Sequence, residues 1–119
     1  MRYVDGFVLP IPTKNLPAYR RMARKAGRIW REHGALEYRE CAGDDFNVKQ
    51  VVPFPRQMKI KRGETVVFAW IGYKSRAHRD RVNAKVMKDP RLAKMCAPNN
   101  MPFDCKRLVC GGFKVLVDA

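Results

Sequence analysis

Apolar, β-branched and aromatic residues are concentrated in four short stretches of the chain, a composition that is typical of β-strands. Pro10 and Pro12 are expected to end the first stretch, because proline cannot donate a hydrogen bond to a central ladder. The pair Gly111-Gly112 in the last stretch indicates a bulge or a close backbone approach. The four predicted strands cover residues 1–11, 35–42, 64–73 and 106–117.

Two further stretches have apolar residues at the three- and four-residue spacing of an amphipathic helix. The first begins after Asn15, a residue type that caps helix N-termini, and ends at Gly34, which favours helix termination. Its apolar stripe comprises Leu16, Tyr19, Ala23, Ala26 and Trp30, widened by Met22, Ile29 and His33.

The second helix is predicted to begin after Ser75 and to end before Asp89-Pro90, because proline disfavours a helical conformation in the residue before it. Residues 91–97 predict one more helical turn, and residues 98–104 a loop. Residues 46–63 have no sustained period and predict a long connection with room for a short extended piece. The interior positions of the second helix are Ala77, Val82, Val86 and Met87.

The order of these elements is β-α-β-β-α-β, the split βαβ arrangement of ferredoxin-like folds. It predicts an α+β fold in which both helices cover one face of a four-stranded antiparallel sheet. The 119 residues have 46 % apolar and 30 % charged side chains, the proportions of a globular protein. We therefore expect residues 1–119 to form one domain.

The third predicted strand is apolar on both of its faces, which a sheet wetted on one side would not show. Two helices can cover only one face, so the other face is expected to meet the same face of a second copy. This predicts a homodimer with facing sheets, a dimeric α/β barrel. Val67, Ala69 and Ile71 would then lie under the helices, and Val66, Phe68 and Trp70 between the sheets.

The net charge of +14 is concentrated in the two predicted helices. Residues 14–33 and 74–94 contain most of the excess of basic residues, so the charge is interpreted first as solvation of helix surfaces. The alternative is a non-enzymatic module that binds nucleic acid through Arg20, Arg24 and Arg28, which the periodicity places opposite the apolar stripe. Without interleaved aromatic residues, such binding is expected to be weak and non-specific.

The four cysteines lack the close pairing of a zinc site, and neither histidine is placed to complete one. We expect reduced thiols at Cys41, Cys96, Cys105 and Cys110, with no bound metal. The apolar runs are too short to cross a membrane, and the N-terminal residues do not have the pattern of a secretion signal. A cytoplasmic location is expected.

Asp5 is the most unusual residue of the first strand, because it is an acid among apolar side chains. A buried carboxylate either finds a partner or has a raised pKa, as catalytic acids and bases do. Arg107 is the candidate partner in a structural ion pair, an edge position would also explain Asp5, and Glu40 could join it as a carboxylate pair. These alternatives stay open.

The two histidines have structural explanations as well as catalytic ones. His33 lies at the end of the first helix, where an imidazolium favours the negative end of the helix dipole. His78 lies in the first turn of the second helix, where Arg76, Arg79 and Arg81 would keep it neutral and able to accept a proton or bind a ligand. A solvent-exposed position is the leading interpretation of His78.

Five aromatic residues and one arginine are candidates for binding a planar ligand, although core or dimer packing is the more common use of aromatic residues. These six residues are Tyr3, Phe7, Tyr38, Phe68, Trp70 and Arg107.

Several long segments in fixed order are similar to the bacterial YbaA-like family, a domain of unknown function in the dimeric α/β-barrel superfamily. The segments are YVDGFVLPIP from Tyr3, AYRRMARKAG from Ala18, HGALEY from His33, the turn Gly43-Asp44-Asp45, VVFAWIGYKSRAHRDRVNAKVMKDPR from Val66 and MPFDCKRLVCGGF from Met101. The resemblance implies the ferredoxin-like fold and a dimer, and it implies no particular reaction.

Haem-degrading members of this superfamily have an Asn on the first strand, a Trp on the third strand and a His on the next helix. Trp70 and His78 match in type, but the first strand has Asp5 and no Asn. We therefore expect no cofactor. The first hypothesis is a homodimer that binds a small organic molecule in a barrel cavity, with room for cofactor-free chemistry, and the hypothesis of a structural dimer without a ligand stays open.

Overall fold

A computed structural model describes residues 1–96 and 101–119 of the chain, and these ranges contain a four-stranded antiparallel sheet. The strand order is β2-β3-β1-β4, which is the order of ferredoxin-like folds and confirms the predicted fold class. The strands are β1 (Tyr3–Pro12), β2 (Glu37–Ala42), β3 (Glu64–Tyr73) and β4 (Val109–Lys114).

In the described part of the chain, two long helices and two short ones connect the strands. Single 3₁₀ turns, Thr13–Asn15 and Cys105–Arg107, precede the first long helix and the last strand. Part of the predicted turn at 91–97 and part of the loop at 98–104 lie outside the described residues. The helices are α1 (Leu16–Glu32), α2 (Phe54–Gln57), α3 (Arg76–Met87) and α4 (Pro90–Met95).

The predicted helix boundaries at Gly34 and Ser75 are confirmed. Gly34 has a φ of 115°, the left-handed conformation that ends a helix, and Ser75 Oγ accepts a hydrogen bond from the His78 amide at 3.1 Å. The predicted side-chain cap at Asn15 is wrong. Its amide group instead donates to the Pro102 carbonyl at 2.8 Å, which attaches the start of α1 to the segment before β4.

Pro10 and Pro12 do not end β1, contrary to the sequence-based expectation. Both pair with β3, and β1 is a central strand. The pairing with β4 ends at Val8, so beyond that residue β1 has a partner on one side only. A residue without an N–H group is tolerated there because no ladder on the β4 side needs its hydrogen bond.

The two faces of β3 are assigned as predicted. Val67 and Ile71 are buried among residues of α1 and α3, and Ala69 on the same face is 4 % exposed. Phe68 lies on the opposite face and is 43 % exposed. Trp70 is half-buried on that open face, where its indole N–H donates to Glu37 Oε1 at 3.2 Å.

Three local expectations are corrected by the structure. The 46–63 connection contains the short helix α2 instead of an extended piece, and Phe54 of α2 contacts the edge of Phe68. Ala77 and Met87 are exposed, because α3 turns the face with Val82 and Val86 towards the sheet. β4 begins at Val109 instead of residue 106, because Asp104 caps a 3₁₀ turn by accepting from the Lys106 amide at 3.0 Å.

Gly112 is needed because the Tyr3 ring lies against it. Gly111 and Gly112 pair with β1 in unbroken register, so the predicted close approach is present without a bulge. A Cβ atom at position 112 would lie 2.9 Å from Tyr3 Cζ and would overlap the hydroxyl group. At position 111, the nearest side-chain atom of Phe113 would be 3.9 Å away, an ordinary contact.

Gly112→Ala is expected to lower the free energy of unfolding by about 1–3 kcal/mol, because it forces a buried ring out of its packed position. The matched control Gly111→Ala introduces the same methyl group at an ordinary contact distance from Phe113 and is expected to be neutral or slightly stabilising. Urea denaturation of both variants measures the difference. Equal stabilities of the two variants would contradict the role assigned to the Tyr3 ring.

Candidate functional site

The core beneath the helices is divided into two clusters with a cavity of about 430 Å³ between them. One cluster surrounds Ile71 and Tyr73, and the other surrounds Leu9 and Val67. The cavity lies over the cross-strand pair Phe7–Ala69, where the two clusters would otherwise meet. A space of this size between helices and sheet accommodates a small organic molecule.

Small side chains create the cavity. Ala69 forms part of its floor, Ala23 and Ala26 face it from α1, and Gly111 and Gly112 border it from β4. A larger apolar residue at any of the three alanines would occupy the space, as Ile71 and Val67 do on either side of Ala69. The cavity therefore follows from small residues at specific positions of the sequence.

Asp5 lies at one end of the cavity and is paired with Arg79 of α3. Asp5 is 6 % exposed, and Arg79 Nη1 donates to its Oδ1 at 2.7 Å. The Arg79 guanidinium also lies 5.1 Å from the centre of the Tyr3 ring and donates from Nε to Asp80 at 2.8 Å. Burial raises the pKa of the Asp5 carboxyl, and attraction to Arg79 opposes the rise.

Glu40 supplies a second carboxylate to the cavity wall. The Tyr19 hydroxyl donates to both of its oxygens, at 2.9 and 2.8 Å. Burial raises the pKa of Glu40, while the Tyr19 hydrogen bond opposes this. Burial and the neighbouring Glu40 also raise the pKa values of Tyr19 and Tyr38, so both phenols remain protonated donors at neutral pH.

Asn83 connects the polar end of the cavity to α1. Its Oδ1 accepts from Trp30 Nε1 at 3.1 Å and from the Tyr73 hydroxyl at 3.3 Å. With the carbonyl oxygen occupied by these two donors, the amide NH₂ group of Asn83 is left to face Asp5, and it lowers the pKa of that carboxyl against the effect of burial. These contacts orient Trp30 along the cavity wall.

The predicted carboxylate pair is wrong, because Asp5 and Glu40 have separate partners. They lie on the same sheet face but on strands separated by β3, and in the observed register Asp5 is level with Tyr38. Two strand spacings sideways and two residues along the strand place the two residues about 12 Å apart. The cavity therefore has one proton acceptor near each end, and a ligand between them could give a proton to either.

The predicted site residues of the strands are divided between the two faces of the sheet. Asp5, Phe7 and Tyr38 line the cavity. Tyr3 is buried on the same face but packs on Arg79 and Gly112. Phe68 and Trp70 lie on the open face of the sheet, since their register is one residue out of phase with that of Ala69.

The predicted ion pair between Arg107 and Asp5 is wrong. Arg107 instead donates to Glu64 at 2.7 and 3.0 Å. Arg107 lies in the 3₁₀ turn before β4, at the end of the sheet where β3 begins. At this end of the sheet Arg107 lies next to Glu64, whereas the arginine that contacts Asp5 is Arg79 of α3.

Neither histidine lines the cavity. His33 caps the end of α1 and its Nε2 lies 2.9 Å from Asp89 Oδ2, which connects α1 to the start of α4. His78 accepts a hydrogen bond at Nδ1 from the Lys74 amide and packs on the edge of Tyr73. Burial and the charges of Lys74 and Arg81 lower the pKa of His78, which favours the neutral imidazole.

Sequence reasoning missed Arg79 and Asn83, which supply much of the polar wall. Their spacing of four residues places them on one face of α3, and Met87, a further turn along, also lines the cavity. This spacing is the signal in the sequence that could identify the pair as one polar face of α3. Without it, Arg79 is noticed only as a neighbour of His78. Tyr19 and Trp30 were predicted as members of the α1 stripe, without a polar role.

Arg20, Arg24 and Arg28 lie along a second space, an open groove of about 1320 Å³ between α1 and β2. The expectation that they lie opposite the apolar stripe is corrected, because they occupy the flank of α1 that faces the edge strand β2. A Cβ atom at Gly27 would lie 2.9 Å from Tyr38 Cδ1, so α1 approaches β2 closely at this point.

Within residues 1–96 and 101–119, no group of three His, Cys, Asp or Glu side chains could hold a metal ion. The four cysteines are free and exposed. Among the helices of the described ranges, none has the length and apolar character needed to cross a membrane.

Because the pKa of Glu40 is raised in the folded state, the free energy of unfolding depends on pH. Comparison of the wild type with Glu40→Gln isolates this dependence. Because the folded state holds this proton more tightly, the stability of the wild type relative to Glu40→Gln falls as pH rises from the ordinary pKa of 4.5 through the raised value. Glu40→Gln is therefore expected to be more stable than the wild type at neutral pH and equal to it in acid.

Glu64→Gln is the control with the opposite sign. The Arg107 guanidinium lowers the pKa of Glu64, so the wild-type advantage over this variant is present above pH 4.5 and is lost as pH falls through the lowered value. Chemical denaturation of the three proteins between about pH 3 and 8 measures both differences. The same sign for the two variants would contradict the assignment for Glu40.

Comparison with known proteins places this geometry in a family. The chain is 43 % identical over 118 residues to the uncharacterized protein YbaA of Escherichia coli K12, and the match covers 99 % of each chain. A NIPSNAP domain protein from Burkholderia xenovorans shares the fold, with a TM-score of 0.59, 16 % identity and coverage of 98 % of this chain and 94 % of the other.

A second solved structure, described as a dimeric ferredoxin-like protein from an uncultured marine organism, has a TM-score of 0.59 at 11 % identity and matches 100 % of both chains. The family described as "Protein of unknown function (DUF1428)" matches residues 2–105. Together with the YbaA identity, this match confirms the resemblance drawn from the sequence: the chain belongs to the DUF1428 family.

Proposed function

We propose that the protein binds a small organic molecule in the cavity between the helices and the sheet. The observation that carries this proposal is a space of about 430 Å³ with apolar walls, with the buried carboxylate of Asp5 near one end and that of the half-buried Glu40 near the other. Apolar walls with a few convergent polar groups are typical of ligand sites. A core that only had to be stable would fill this space.

The chemistry available to a bound molecule is proton transfer. Burial raises the pKa of both Asp5 and Glu40, which makes each a stronger base than an exposed carboxylate. Tyr19 holds Glu40 in place and Arg79 holds Asp5. A ligand with an acidic proton on carbon, oxygen or nitrogen could give it to either carboxylate, with no cofactor needed for that step.

Filling the cavity is expected to abolish binding. Ala69→Phe places a ring in the space from the sheet side, and Ala26→Leu narrows it from α1. Small molecules extracted from the purified protein and identified by mass spectrometry are expected with the wild type and to be lost with both variants. Ala84→Phe, at an exposed position on α3, is the matched control and is expected to retain them.

Two results would contradict the ligand proposal. One is retention of the same molecule at the same stoichiometry in Ala69→Phe and Ala26→Leu, with near-UV circular dichroism confirming that both are folded. The other is a wild-type protein that carries no molecule and binds none in a ligand-observed NMR screen of fragments.

We also propose that two copies form a homodimer through the open face of the sheet. This face has no helix of the described ranges packed along its length, and it presents Val4, Val8, Phe68, Trp70 and Phe113. Phe113 is 62 % exposed in the single chain. The neighbour described as dimeric supports the proposal, and facing sheets would remove these side chains from water.

Trp70→Arg is expected to dissociate the homodimer, because it places an unpaired charge between the two sheets. Light scattering coupled to size exclusion is expected to give about twice 13.8 kDa for the wild type and a mass near that of one chain for the variant. Met87→Arg, at an exposed apolar position on α3, is the control and should remain dimeric. A monomeric wild type at micromolar concentration would contradict the proposal.

Nucleic acid binding is the second candidate function, and the observation that favours it is the alignment of Arg20, Arg24 and Arg28 along one groove. Salt-dependent contact with phosphates would follow from such a row. In the groove lining, Tyr19 is buried and Tyr38 is half-buried, so neither offers a base an open stacking surface. This favours only weak, sequence-independent contact.

The proposal extends to the cellular setting of the protein. Four free, exposed thiols are consistent with a reducing compartment, which supports a cytoplasmic location. The pairing of β4, near the end of the chain, with β1, near its start, supports residues 1–119 acting as one domain.

A further inference from the structure

The arginine groove and the cavity meet at one wall, and this juxtaposition indicates the class of ligand. Tyr19, Ala23, Tyr38, Arg39 and Glu40 line both spaces. The two spaces therefore adjoin, and a molecule that extends past these side chains would lie in both. The ligand class inferred from this arrangement rests on the proposed ligand-binding function: one molecule would occupy both spaces.

The groove carries positive charge that the described residues do not neutralise. Arg20, Arg24 and Arg28 follow one another at intervals of one helical turn, about 6 Å. Within residues 1–96 and 101–119, these three side chains have no ion-pair partner. Glu40 is the one acidic residue of the groove lining, and its carboxylate is already occupied by the Tyr19 hydroxyl.

The two spaces differ in chemistry in a way that matches an amphiphile. The cavity walls are mainly apolar and include Phe7, Leu9, Met22 and Ile71. The groove beside it is lined by arginines from α1 and by Arg39 from β2. Guanidinium groups pair favourably with carboxylate, sulfonate or phosphate oxygens, while an apolar body gains free energy by leaving water.

We propose that the ligand of the cavity is an anionic amphiphile, whose apolar body lies between the helices and the sheet and whose acidic group lies in the arginine groove. The two parts of the ligand would meet at the Tyr19–Glu40 pair, which borders both spaces. A nucleic acid strand would use the arginines but would leave the cavity empty, so it accounts for only half of the arrangement.

A pair of fluorescent probes tests this on the full-length protein. Anilinonaphthalene sulfonate has an acidic group and phenylnaphthylamine has nearly the same aromatic body without it. The sulfonate is expected to bind about tenfold more tightly than the neutral probe, and this advantage should disappear at high salt. Octanoate and octyl phosphate then compete with the sulfonate, and the better competitor identifies the acidic group.

Two sets of variants separate the groove from the cavity. Replacing Arg20, Arg24 and Arg28 together by Gln is expected to weaken sulfonate binding about tenfold and to leave the neutral probe unchanged. The control with the same charge change, Arg76→Gln with Arg81→Gln and Lys85→Gln on α3, should change neither. Ala69→Phe should abolish binding of both probes.

Each departure from these results has a distinct meaning. Equal affinity for the two probes, or an unaffected triple variant, overturns the anionic ligand and leaves the cavity proposal standing. Binding that survives Ala69→Phe, or no binding of either probe, overturns both. An oligonucleotide that displaces the sulfonate at physiological salt, with affinity unchanged in Ala69→Phe, overturns this inference and assigns the groove to nucleic acid.

Discussion

The ion pair between Asp5 and Arg79 is the contact on which the position of α3 depends. Asp5 lies on a central strand and is 6 % exposed, so its charge requires a partner that water cannot supply. Leaving one member of such a pair unpartnered typically costs about 3–5 kcal/mol. Because Asp5 needs this partner, α3 packs on the sheet at the level where Arg79 contacts Asp5. Asn83 follows one helical turn later.

Several features of the site follow from that position of α3. Arg79 also covers the Tyr3 ring, and this ring lies where only glycine fits at position 112. Asn83 then reaches Trp30 of α1, which connects the two long helices across the cavity. The buried charge of Asp5 on β1 thus positions the polar side chains at one end of the site. The small residues at positions 23, 26 and 69 leave the cavity unfilled.

The sequence predicted local structure well because the determining residues are adjacent in the chain. The bounds of β3 and the Ser75 cap depend on neighbours within a few positions, and the two faces of β3 follow from strict alternation. Asp5 was identified as an unusual acid for the same reason. The tolerance of Pro10 and Pro12 could not be predicted locally, because it depends on where β4 begins, at Val109, about a hundred residues later in the chain.

Partners of charged side chains were predicted less well, because they depend on the register of elements distant in sequence. Arg107 and Arg79 are equally plausible partners for Asp5 when only residue types are considered. The observed pairing requires the α3 position as well as the strand order. Glu40 was recognised as an acid on the second strand, but its contact with Tyr19 depends on how α1 crosses β2.

The proposed binding site and the proposed dimer interface lie on opposite faces of the sheet, and the two faces differ in the size of their central side chains. The helix face has small residues at its centre, which reduces packing and creates space. The open face has Phe68, Trp70 and Phe113, which add apolar surface that a single chain leaves in contact with water. Alternation along β3 places Ala69 between Phe68 and Trp70 in sequence but on the other face. Neighbouring residues of one strand can therefore change independently, so the cavity could adapt to its ligand without loss of the surface through which two copies would associate.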